Sequence, residues 1–154
     1  MIAGVDLALW DLYARRASLP LFRLLGGQQA RLPVNASGIN PDGPLAVVQR
    51  KHAEGYRAFK LKIGFSDQQD LDHLVSLRAW LGPQADLMAD VNQAWDLSKA
   101  SAMLQRLDPL GLAWLEEPLR SDCSSQQWQQ LRANTGIPLA AGATACTTWV
   151  PASA

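Results

Sequence analysis

Lys62, Asp90 and Glu116 stand 28 and 26 residues apart, each near the C-terminal end of a short apolar stretch, and a further 27 residues lead to Ala143. Between these stretches lie segments whose apolar residues recur at helical spacing. Strand candidates fall at 32–35, 56–63, 86–92, 112–116 and 137–141, and helix candidates at 44–54, 66–81, 98–107 and 124–134. Gly55, Gly82-Pro83, Asp108-Pro109 and Gly136 stop the helices. Strand then helix, repeated, predicts βαβ units and a parallel sheet. Upstream, Ile2, Val5, Leu9, Leu12 and Tyr13 mark an amphipathic helix over 2–16. Ser18 is the expected N-cap of a second, short helix that Gly26-Gly27 closes.

The strands are not plain hydrophobic runs. Alternation puts Phe59, Leu61 and Ile63 on one face of their strand and Lys60 and Lys62 on the other. Met88, Asp90 and Asn92 share a face, as do Leu112, Trp114 and Glu116. Parallel strands with helices between them are covered on both faces, so these polar side chains must point into a shared interior. A polar position at the same point of each unit suits a barrel with its site at the strand C-termini.

Composition narrows the function classes. The 154 residues are 48% hydrophobic and 18% charged, as in a globular chain with a core. Lys plus Arg and Asp plus Glu both number 14, which argues against nucleic acid or a polybasic membrane surface as partner. No apolar run is long enough to span a bilayer, and Asp6 and Asp11 break the N-terminal apolar stretch where a signal peptide would be continuous. Cys123 and Cys146 form no CxxC, which fits a reduced, cytoplasmic protein with packing thiols. His52 and His73 lie outside any motif and are expected at the surface.

Taken together, FKLKIG, LMADVNQAW, WLEEP and LAAG resemble the mandelate racemase and muconate-lactonizing branch of the enolase superfamily. VDLALWDLYARRASLPLFRLLGG resembles the stretch that joins that family's capping domain to its barrel. The resemblance implies an α/β fold: residues 1–30 as the C-terminal helical part of the capping domain, 31–142 as about the first five strands of a (β/α)7β TIM-like barrel, and 143–154 as an atypical tail. It also implies Mg2+ and removal of the proton α to a carboxylate, giving a metal-stabilised enolate that goes on to racemisation, epimerisation, dehydration or cycloisomerisation.

By this match Lys62 is the base and Lys60 neutralises the substrate carboxylate, while Asp90 and Glu116 are metal ligands. Two ammonium groups facing one pocket beside a divalent cation favour the neutral amine that a general base needs. Hard carboxylate oxygens suit Mg2+, which balances the charge of an enediolate. Asn92 is placed at substrate or at ligand waters, Glu117 is a support residue, and Trp95 and Trp114 are packing or pocket wall. The substrate is a small carboxylic acid, with sugar acids the commonest choice, and full-length relatives are expected to be homo-oligomers.

Two features depart from the family pattern. Its third metal ligand is a glutamate directly after the glycine of a segment like LAAG, and here Ala143 follows Gly142. The later barrel strands, with the second acid/base group, have no counterpart before Ala154, and Arg132 is the sole charged residue of 123–154. The expectation is therefore a truncated relative, inactive alone; the rival reading is a non-catalytic remnant, inactive or acting only by association with another chain.

Overall fold

The structure is a computed structural model that describes residues 2–29 and 31–141. Gly142, Ala143, Cys146 and the rest of the expected tail lie outside the described residues. The chain divides into two compact units at Pro33 and Val34.

The first unit holds α1 (Ile2–Arg16) and α2 (Leu21–Leu24). Ser18 does not cap α2. It takes a left-handed φ of 53° and its N–H bonds the Arg15 carbonyl, so it terminates α1. Pro20 occupies the cap instead, its ring holding φ at −59° with no N–H to satisfy. Val5, Leu9, Trp10, Leu12 and Tyr13 of α1 are exposed.

The second unit alternates β1 (Ala36–Ile39), α3 (Pro44–Ala53), β2 (Ala58–Lys62), α4 (Asp67–Leu81), β3 (Asp86–Asp90), α5 (Leu97–Leu107), β4 (Leu115–Glu116), α6 (Ser125–Ala133) and β5 (Leu139–Ala140). The five strands pair in sequence order, all parallel. Phe59, Leu61, Leu87, Ala89, Val91 and Leu115 on one sheet face are buried against Val48, Leu74, Leu77, Met103, Leu104, Leu107 and Leu131 of the helices. This apolar layer fixes which strand residues face the other way.

Helix starts follow local chemistry. Asp96 accepts from the Lys99 N–H and begins α5, and Ser124 with Gln127 forms a capping box at α6. The first strand is not at 32–35. Leu32 and Val34 flank Pro33 and are exposed, whereas Ala36 and Ile39 are buried and pair with Phe59 and Leu61. Proline cannot donate to a ladder, so pairing begins beyond it.

His52 and His73 are half-buried rather than on the surface. His52 stacks on Phe59 and meets Trp80 edge-on at 5.3 Å between ring centroids. Nδ1 of His73 is buried and has no hydrogen-bond partner among the described residues. Cys123 packs partly buried against the core, as a structural thiol does.

Candidate active site

Strand register assembles the site. Lys62 pairs with Asp90, Asp90 with Glu116, and Glu116 with Ala140, so these four positions form one row across the sheet. Because Phe59, Leu61 and Ile63 pack into the helical layer, Lys60 and Lys62 stand on the opposite face with Asp90 and Glu116.

The side chains meet there. Lys60 Nζ donates to Glu116 Oε2 at 2.6 Å and lies 4.0 Å from Asp90 Oδ2. Lys62 Nζ lies 3.9 Å from the same Asp90 oxygen and donates to Asn92 Oδ1 at 3.2 Å. Trp114 Nε1 donates to Glu116 Oε2 at 3.4 Å, so this tryptophan also orients a carboxylate. Asp90 is 8% exposed, whereas the Lys62 side chain keeps 34% of its surface.

Asn92 lies beyond the end of β3, in a left-handed turn with φ 51°, and so reaches the lysine from a turn rather than from the strand. Its own N–H donates to Asp90 Oδ1 at 3.0 Å. Glu117 turns away from the cluster, is 7% exposed, and accepts from Gln93 Nε2 at 3.3 Å. Trp95 is buried in the core.

Asp90 and Glu116 are carboxylates on paired strands and already share one ammonium group, so their oxygens can face a single cation. This donor set fits Mg2+, a hard ion that binds through one or two carboxylates and keeps several waters. Among the described residues no group of three or more His, Cys, Asp or Glu gathers around a metal position. The position expected to carry the third ligand, Ala143, lies outside them.

Known proteins share this framework. Residues 45–152 match the enolase C-terminal domain-like family, and residues 1–26 match the mandelate racemase / muconate lactonizing enzyme N-terminal domain. The chain belongs to the enolase superfamily, in its mandelate racemase and muconate-lactonizing branch. A 3,6-anhydro-alpha-L-galactonate cycloisomerase of Streptomyces coelicolor is 40% identical over 126 residues, which are 79% of this chain and 35% of that protein. The crystal structure of a mandelate racemase/muconate lactonizing enzyme from Bordetella bronchiseptica is 54% identical, with a TM-score of 0.87 over 93% of this chain and 39% of its own. A racemase from Streptomyces coelicolor with bound magnesium is 34% identical, with a TM-score of 0.82 over 92% of this chain and 41% of its own. The chain thus spans about a third to two fifths of the length of its relatives, among which are dehydratases as well as racemases and cycloisomerases.

Sequence reading missed two parts of this enolase-superfamily site. Gln93, the residue after Asn92, links the turns that follow β3 and β4. Asp70, 2% exposed in α4, accepts the N–H groups of Gly64, Phe65 and Ser66 at 2.8, 3.1 and 3.2 Å and pins the loop after Lys62. An aspartate in the first turn of a helix was the available signal.

Proposed function

We propose that this cluster is the base and cation half of a site that removes the proton α to a carboxylate of a small acid. The observation that supports it most is the convergence of two lysines and two carboxylates within 4.0 Å at the ends of three adjacent strands. Asp90 and Glu116 would hold Mg2+. When bound, that ion supplies positive charge to offset what develops on the substrate's carboxylate oxygens.

Lys60, held at Glu116, is placed to meet a substrate carboxylate as counter-charge. Lys62 Nζ, the more exposed amine, takes the α-proton in its neutral form. Asn92 Oδ1 keeps that amine oriented through its hydrogen bond. Sugar acids are the proposed substrate class, since a dehydratase for L-talarate and galactarate is among the relatives. The helices of 1–30 are proposed as part of a cap, 31–142 as the first barrel units, and the assembled form as a homo-oligomer in the cytoplasm.

Calorimetric titration with Mg2+ and then galactarate tests this reading. Expected are Mg2+ binding that disappears in Asp90→Ala, and galactarate binding that requires Mg2+ and weakens at least about tenfold in Lys60→Ala, as loss of one charge-assisted contact implies. A folded chain that binds no Mg2+ overturns it.

A second reading, a non-catalytic relative of these enzymes, draws on one observation. Among the described residues neither a third metal carboxylate nor a second base joins the cluster. Net turnover by this chain alone is accordingly not expected. Solvent deuterium entering the α-carbon of an acid, and lost in Lys62→Ala, would decide against the second reading.

A further inference from the structure

Three non-glycine residues beside the cluster adopt left-handed backbone: Asn92 at φ 51°, Gln93 at 63° and Glu117 at 45°. Asparagine enters this region readily, whereas glutamine and glutamate rarely do. Such strain persists only where surrounding structure over-determines it, and here the restraints are visible.

Gln93 donates its N–H to the Glu117 carbonyl at 2.8 Å, carrying the β3–β4 ladder one step past both strands. Gln93 Nε2 donates to Glu117 Oε2 at 3.3 Å, and Gln93 Oε1 accepts the Ser121 N–H at 2.9 Å. The Glu117 N–H in turn donates to the Ala140 carbonyl of β5 at 2.8 Å. One glutamine and one buried glutamate therefore tie three consecutive strand ends together.

The tie lies directly behind the acidic pair. Glu116 is the neighbour of Glu117 in sequence, and Asp90 receives the N–H of Asn92, the neighbour of Gln93. Free of the tie, Gln93 and Glu117 would relax toward right-handed or extended backbone. The Asn92 N–H would then turn away from Asp90 Oδ1, and the Glu116 carboxylate would rotate with its own peptide.

We infer that Gln93 and Glu117 are positioning residues that set the orientation of the Asp90 and Glu116 carboxylates toward a divalent cation. This rests on the reading of Asp90 and Glu116 as the cation ligands. Partners behind first ligands commonly change metal affinity by about 10–100-fold.

The test compares the full chain with Gln93→Ala, Glu117→Ala and Glu117→Gln. Mg2+ affinity is measured by calorimetry, and backbone amide hydrogen exchange is followed by NMR without metal. Expected in Gln93→Ala is Mg2+ binding about tenfold weaker, with faster exchange at Asn92 while Phe59 and Leu61 of β2 stay protected. Glu117→Gln keeps an acceptor oxygen for Gln93 and is expected near wild type in both measurements. Should Glu117→Ala fail to fold, Gln93→Ala carries the test, because Gln93 is only half-buried. A Gln93→Ala protein that melts earlier but keeps wild-type Mg2+ affinity and Asn92 protection overturns the inference, since a merely structural role predicts that pattern. A wild-type chain that binds no Mg2+ removes the ligand reading instead, and exchange at Asn92 then decides the positioning role by itself.

Discussion

Lys60 shows what a single side chain does in this site. Its ammonium sits 2.6 Å from Glu116 and 4.0 Å from Asp90, where it offsets repulsion between two carboxylates brought together by strand pairing. Two carboxylates and waters hold Mg2+ only loosely, and a third raises the ligand charge that sets affinity. Ala143→Glu is therefore predicted to tighten Mg2+ binding, by about tenfold for one added ligand charge. Asp90→Ala in the same background is predicted to erase the gain, and calorimetry on the two variants checks both. Unchanged affinity in a folded Ala143→Glu protein would mean that position 143 does not face Asp90 and Glu116. Gly64 is a second single-residue constraint. Its φ is 98°, and a Cβ there would meet the Val91 carbonyl oxygen and the Ala94 Cβ at 2.9 Å. Gly64→Ala should cost about 1–3 kcal/mol in denaturant unfolding, because neither backbone nor neighbour can yield cheaply.

Elements hold the strand ends in place from both sides of α4. At its N-terminus the buried Asp70 carboxylate collects the three N–H groups of the β2–α4 loop. Asp70→Ala leaves those donors without their acceptor and should cost about 2–4 kcal/mol in thermal or urea unfolding, with Asp70→Asn intermediate. At its C-terminus Arg78 donates to the carbonyls of Gly82, Ala85, Leu110 and Gly111 at 2.8–2.9 Å. One guanidinium thus joins the end of α4 to the entries of β3 and β4. Lysine cannot reproduce that fork, so Arg78→Lys is predicted to lose nearly as much as Arg78→Ala, about 2–4 kcal/mol. Equal stability of Arg78→Lys and wild type in urea unfolding would argue against the clamp.

At the scale of the molecule, β1 and β5 each have one sheet neighbour among the described residues, and α1 exposes several large apolar side chains. Unpaired edges and apolar surface favour association. Size-exclusion chromatography is expected to show concentration-dependent self-association. A single monomeric peak at both micromolar and tenfold higher concentration, with cooperative melting, would count against this.

Much of this architecture is legible along the chain. Phe59-Lys60-Leu61-Lys62-Ile63 announces its faces by alternation, and Ser66, Ser124 and Gly82 mark helix ends, because these signals act within a few residues. The regular spacing of Lys62, Asp90 and Glu116 matches their places side by side on adjacent strands, since each strand-helix unit advances the sheet by one strand. Other features have no local cause. Ala-Ser-Gly-Ile is a poor strand by propensity, yet it is β1, because Phe59 and Leu61 offer a pairing edge that Leu32-Pro33-Val34 cannot use. His52 is half-buried where it packs against Phe59 of the next strand and Trp80 of the next helix, contacts made only once β2 and α4 stand beside α3. Gln93 and Glu117 became a tie between strand ends only when separate units were brought side by side. Periodicity and capping belong to the sequence alone. Which polar groups must satisfy one another is a matter of non-local pairing, and the tertiary structure decided it.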